Sequence, residues 1–259
     1  MSSRLLSLAA GTILEASPPD SILAAAEAGF PAVGIWFDAD TWSPAVEAEI
    51  RRRLDATGLV ALDIEPIMLS ADGDHGERIV QAAKAVGARN ILVASRDSDH
   101  QRVADRLSRL ADLVDDAPIR LCLEFLPALG VRSLSEALAI VRQVNCPTLG
   151  VLVDSIHLSR SGGEPSDLVG VEPHLLPYLQ LCDALPQPVD SSRAGLLDEA
   201  LNGRLLPGEG ALPLSELLAA VPNVALSIEL RSAALREAFP DVIDRAKAVW
   251  RASQPYASL

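Results

Sequence analysis

Short runs of Val, Ile and Leu alternate with longer segments of helical period along nearly all of this 259-residue chain, and no other feature restricts the fold as much. Parallel strands need a connection of a dozen or more residues, usually a helix, so this alternation reads as strand, crossover helix, strand. Eight strands are expected, at residues 5–9, 32–36, 59–64, 90–94, 120–124, 149–154, 176–181 and 225–229. Between the first two, Ser17 stands as an N-cap, Pro18 at the first helical position and Gly29 as the stop. Ser133 and Glu136 have capping-box spacing, Ala137, Leu138, Val141 and Val144 share one face, and Asn145 with Pro147 ends that helix. Gly87 closes a third helix in the same way. A doubly wound sheet alternates similarly, but no Gly-x-Gly-x-x-Gly follows the first strand. Eight such units in about 250 residues fit an α/β fold of the (β/α)8 TIM-barrel type, with residues 1–259 as a single domain.

Composition limits the partners. A content of 49% hydrophobic and 22% charged residues is that of a folded domain with a sizeable core. Thirty-five acidic against 22 basic side chains give a formal charge of −13, which repels a polyanion, so no nucleic-acid partner is expected. The apolar runs are strand-sized, which predicts no membrane span, and the opening residues show no signal-peptide pattern. Three cysteines, Cys122, Cys146 and Cys182, without paired spacing suit a reducing compartment. A cytoplasmic protein with a small-molecule substrate is the expectation, and a monomer and a symmetric homodimer are both compatible with it.

The chemistry concentrates where strands end. In a barrel these ends, and the loops after them, form the catalytic face. The fifth strand ends at Glu124 and the sixth at Asp154; the seventh carries Gln180 and then Asp183; the eighth carries Glu229 and then Arg231. Three converging carboxylates repel one another, and a divalent cation would hold all of them ionised, with the Gln180 carbonyl as a fourth oxygen. Oxygen donors favour Mg2+ or Mn2+, with Co2+ and Zn2+ as alternatives. Period-two alternation points Arg231 the way of Glu229, to orient it or to bind a substrate oxygen. Two stretches, 155–167 and 183–213, break the short-loop pattern and carry the loop candidates Arg160, Arg204 and Glu209. Asp183 reads as a structural residue that pairs with an arginine or caps the loop, "PGEG" as a tight turn, Glu65 and Trp36 as packing residues by default that could line the pocket, and His75, His100 and His174 as surface histidines.

These residues resemble the xylose isomerase-like barrels, which include sugar-phosphate isomerase/epimerase-like proteins, inosose and ketose epimerases and 3-dehydroshikimate dehydratases, with endonuclease IV more distant. The resemblance rests on "LEFLP" around Glu124, "VDSIHLSR", "QLCDA" around Gln180, "GRLLPGEGALPL" and "SIELRS" around Glu229. It implies metal ligation by Glu124, Asp154, Gln180 and Glu229, although many members have histidine where this chain has Gln180. It also implies a substrate contact for His157, which is a candidate catalytic residue as well; Arg204 and Arg231, from their loop and strand positions, are further candidate substrate contacts. The implied reaction is isomerisation or epimerisation of a sugar or polyol-like hydroxyketone through a metal-stabilised enediolate, Glu124 and Glu229 exchanging protons as base and acid. The same enolate could expel a β-hydroxyl, with His157 as the acid, which is the dehydratase alternative. A phosphodiesterase is disfavoured by the four histidines and the charge of −13, and a non-catalytic binding barrel by the retained acids.

Overall fold

The computed structural model describes residues 3–259. Eight parallel strands close on themselves in sequence order. They are β1 (Leu6–Leu8), β2 (Ala32–Trp36), β3 (Val60–Leu69), β4 (Asn90–Ser95), β5 (Arg120–Glu124), β6 (Leu149–Asp154), β7 (Tyr178–Leu181) and β8 (Ala225–Ile228). The crossover helices are α1 (Pro18–Ala28), α2 (Pro44–Thr57), α3 (Gly76–Val86), α4 (His100–Val114), α5 (Leu134–Val144), α6 (Ser155–Arg160), α7 (Arg193–Asn202), α8 (Leu214–Ala220), α9 (Ala233–Ala238) and α10 (Val242–Ser253). This is the (β/α)8 barrel that the alternation predicts.

Local signals act as the sequence suggests. The Ser17 hydroxyl accepts from the Asp20 amide, and Gly29 closes α1 in the left-handed region at φ 97°. Ser133 caps α5, and Asn145 ends it at φ 51°. The Glu136 carboxylate reaches the Arg132 amide, one residue before the cap, where a capping box would place it on Ser133.

Period two along each strand divides the apolar residues between two compartments. Leu121, Leu123, Val151 and Val153 face outward onto the helices, while Leu62, Leu92, Cys122, Leu152 and Tyr178 fill the barrel interior. Two strands depart from expectation. β3 runs on to Leu69, beyond 64, because Pro66, which cannot donate to the ladder, falls within a register shift between Ile64 and Ile67. β7 begins at Tyr178 and not at 176. Pro177 has no N–H for pairing, and Arg120 on β5 donates instead to the carbonyls of Leu149 and His174. The stretches 155–167 and 183–213 are not plain loops, since each contains a helix, α6 and α7 respectively.

Gly150 on β6 meets the Pro177 ring: a Cβ built there would lie 2.6 Å from Pro177 Cγ and 3.1 Å from the Leu175 carbonyl. Gly150→Ala should therefore destabilise the barrel by about 1–3 kcal/mol, read as a melting temperature lowered by roughly 2–4 °C per kcal/mol. An unchanged melting curve would show that the floor of the barrel yields freely.

Candidate functional site

The strand ends bring the expected acids together. Glu124 closes β5, Asp154 closes β6, and Gln180 lies beside Asp154 in the ladder. Glu229 lies one residue beyond β8, its amide still donating to the Leu181 carbonyl at 3.2 Å. All are buried, Asp154 and Gln180 completely and Glu124 and Glu229 to 7% exposure.

His157 joins them through the geometry of α6. Asp154 Oδ1 accepts the Ile156 amide at 3.0 Å, so the acid that ends the strand also caps the helix. Three residues on is nearly one helical turn, which brings His157 back over Asp154. Its Nε2 stands 3.8 Å from both Glu124 Oε1 and Asp154 Oδ2. Glu124, Asp154 and His157 each offer a ligand atom, and these atoms all lie within 4.8 Å of one another, a Glu–Asp–His triad able to hold a divalent cation.

Gln180 tests the fit of a metal independently. Neither atom of its buried amide has a protein partner, and a buried polar group without one is rare. A carbonyl oxygen beside carboxylates is the donor that a hard cation takes. Gly11 makes room for Glu229, because a Cβ there would collide with Glu229 Oε1.

Arg204 occupies the same site. Its guanidinium is 2% exposed and sits 2.6 Å from Asp154 Oδ2 and 2.8 Å from Glu229 Oε2. The partner of Glu229 is thus Arg204 and not Arg231, which is half-buried at the edge of the cluster. Burial opposes the charged guanidinium, but Asp154 and Glu229 outweigh it and hold Arg204 well above its usual range. The remaining groups feel the crowding. Burial, then Glu229 and Asp154, push the Glu124 carboxyl well above the carboxylate range. Burial, then Arg204, push His157 down to about 3, so its imidazole is neutral at physiological pH.

The interior holds two further acids, Asp63 and Glu65, both on β3. Burial and then Glu229 raise Asp63 to about 7, against a hydrogen bond from the Tyr178 hydroxyl. Burial, then Asp63, Glu229 and Glu124, push the Glu65 carboxyl well above the carboxylate range. Sequence reasoning named Glu65 but missed Asp63, although the spacing of the two in "LDIEP" was the available signal.

The loops cover this cluster. α7 lies against the segment after β5 and against α6, with Arg193 Nε donating to the Ala128 carbonyl at 2.6 Å. Arg160 grips Glu199 of α7 through two bonds of 2.8 and 2.7 Å, a structural role. Asp183 is a loop cap, accepting the amides of Ala184, Leu212 and Gly208 at 2.9, 3.0 and 3.0 Å. Glu209 is exposed in the tight turn after Pro207, and His75, His100 and His174 lie away from the cluster. Trp36 ends β2, half-buried. A cavity of about 1050 Å3 opens at the opposite face of the barrel. Arg4, Lys84 and Arg120 there are already bonded to carbonyls or to Asp116, so that bowl is not the centre of the chemistry. Among the described residues no helix is long and apolar enough to cross a membrane.

Fold and site together define a TIM barrel with a buried metal-binding triad at its catalytic face, an arrangement consistent with metal-dependent isomerase, epimerase or related lyase chemistry. The chain belongs to the xylose isomerase-like TIM barrel family, whose profile matches residues 22–252. It is 26% identical over 230 residues to a 3-dehydroshikimate dehydratase of Pseudomonas putida, a match covering 80% of this chain and 34% of that protein. It is 27% identical over 125 residues to the inosose isomerase of Bacillus subtilis, covering 48% of this chain and 42% of the relative. The chain thus spans about a third of the length of the dehydratases it matches. In fold it superposes on the IOLI protein with a bound zinc atom, at a TM-score of 0.83 with 17% identity over 98% of both chains. It also superposes on a xylose isomerase-like TIM barrel/4-hydroxyphenylpyruvate dioxygenase fusion protein, at 0.81 with 22% identity over 97% of this chain and 42% of that one.

Two substitutions probe this geometry. Gly11→Ala should push Glu229 aside and, on the expectation that Glu229 is a ligand, weaken divalent-cation binding by roughly 10- to 100-fold in titration calorimetry, with the circular dichroism unchanged; undiminished affinity would count against Glu229 as a ligand. Asp183→Ala leaves three amides without their acceptor and should cost about 3 kcal/mol in urea unfolding.

Proposed function

We propose that this chain catalyses proton abstraction beside a carbonyl in a small polyhydroxylated ketone, using one divalent cation, Mg2+ or Mn2+, held by Glu124, Asp154, Gln180 and Glu229 with His157 adjacent. The observation that carries this reading is the buried convergence of Glu124, Asp154 and His157 beside an amide with no protein partner. When bound, the cation would supply Lewis-acid polarisation of the substrate carbonyl.

The chain's own groups then divide the proton work. Glu124 and Glu229 serve as the base and acid that take and return the substrate proton. His157 is neutral, so it serves as a hydrogen-bond partner to a substrate hydroxyl, and an imidazolium donor is not available at physiological pH. Burial and its acidic neighbours push the Glu65 carboxyl well above the carboxylate range, towards its protonated form, which makes it the better candidate to protonate a departing hydroxyl. Arg231, half-buried beside Glu124 and Glu65, offers a positive group to a substrate oxygen or carboxylate.

Two outcomes can follow removal of that proton. Return of the proton gives isomerisation or epimerisation; loss of the β-hydroxyl gives dehydration. The similarity to 3-dehydroshikimate dehydratases runs through 80% of the chain, against 48% for the inosose isomerase, and favours dehydration of a cyclic keto acid of that kind. Three free cysteines, two of them buried, agree with a reducing, cytoplasmic setting.

The test is to incubate the Mn2+-loaded protein in D2O with 3-dehydroshikimate and with inososes, following aromatic absorbance for dehydration and deuterium uptake for exchange. Glu124→Gln and Glu229→Gln should each reduce turnover by about 10²- to 10⁴-fold with the fold intact. Exchange without dehydration on every keto acid would return the assignment to isomerase or epimerase. Full turnover in both variants would overturn the mechanism.

A further inference from the structure

We infer that Arg204 is a cation built into the site, which pairs with Asp154 and Glu229 and competes with a divalent ion for their oxygens. The inference rests on the proposal that these two acids are metal ligands. It departs from the expectation that Arg204 binds substrate, because the guanidinium is already engaged. Nε donates to the Ala200 carbonyl at 2.8 Å. Nη1 donates to Asp154 Oδ2 at 2.6 Å, with Cys182 Sγ at 3.3 Å and the Glu229 carbonyl at 3.4 Å. Nη2 pairs with Glu229 Oε2 at 2.8 Å. A guanidinium has five N–H donors, so one at most is left for any substrate.

The arrangement solves a folding problem. A chain that buries Glu124, Asp154 and Glu229 together before it meets a metal needs a positive charge among them. Arg204 supplies that charge at two of the three, from a position two residues past α7. It cannot withdraw freely, because its Nε is tied to Ala200 of α7 and α7 is tied to α6 through Arg160 and Glu199. A divalent ion entering the site must therefore share Asp154 and Glu229 with a fixed like charge. Arg204 is accordingly a positioning residue that sets how tightly the metal is held.

The test is Mn2+ titration calorimetry with parallel thermal melts on native protein, Arg204→Met, Arg204→Lys and Glu124→Gln, all stripped of metal first. Arg204→Met should melt at a lower temperature than native when metal-free and bind Mn2+ at least about tenfold more tightly, because a like charge has left the site. Its melting temperature should accordingly rise more on saturation with Mn2+. Arg204→Lys, which keeps the charge but can span only one carboxylate, should fall between the two, and it carries the comparison if the methionine variant does not fold without metal. Mn2+ affinity that is unchanged or weaker in both arginine variants, with native binding still lowered by Glu124→Gln, would overturn the inference and leave the metal reading intact. Absence of Mn2+ binding in native protein and in both arginine variants would overturn the metal reading itself.

Discussion

The structure turns on a repulsion. Three carboxyl groups from β5, β6 and the end of β8, with two more from β3, are buried around one point in the barrel mouth. Acids in a medium of low dielectric do not ionise together unless something positive joins them. Each neighbouring feature answers that demand. Arg204 bridges two of the acids, Glu124 and Glu65 are driven towards their protonated forms, and His157 is held neutral, leaving a nitrogen lone pair free to join a ligand set. A divalent cation would reverse the pressure on Glu124, so the same crowding that disfavours the bare site supplies its affinity for metal.

The barrel makes such crowding sustainable. Parallel strands point their carboxyl ends one way, so inward residues from separate strands meet without any one segment being strained. The β6–α6 junction shows the economy of this: Asp154 ends a strand, caps a helix through Oδ1 and keeps Oδ2 for the cluster. His157, one turn further on, is positioned by the same cap. Disturbing that junction would move two members of the triad at once, which explains why an acid and a histidine three residues apart sit where an apolar run stops.

Most of this frame is legible in the sequence because its signals are local. Ser17, Gly29, Ser133 and Asn145 mark helix ends through contacts within a few residues, and β2, β5 and β6 fall at their expected bounds because hydrophobic period and flanking turns agree. Glu124, Asp154 and Glu229 could be placed on one face because a barrel makes strand order and direction known. Errors arise where the deciding contact is distant or proline intervenes. Pro66 suggests a strand end but falls in a register shift, and Pro177 delays β7 while Arg120, far back in the chain, takes the free carbonyls.

Arg204 is the instructive case. In sequence it is one of several loop arginines, fifty residues from Asp154 and twenty-five from Glu229, with nothing local to distinguish it from Arg160. Both arginines are buried and both grip acids, yet Arg160 closes a latch between two helices while Arg204 enters the cluster itself. What separates them is place in the fold: Arg160 ends α6, while Arg204 lies two residues past α7, next to Leu205, whose backbone pairs with Asp183, and Asp183 also accepts the amides of Gly208 and Leu212. A structural aspartate just past β7 therefore anchors the segment that follows Arg204. Substitutions along 183–213 can change the charge balance of the site without touching a residue that would meet the substrate.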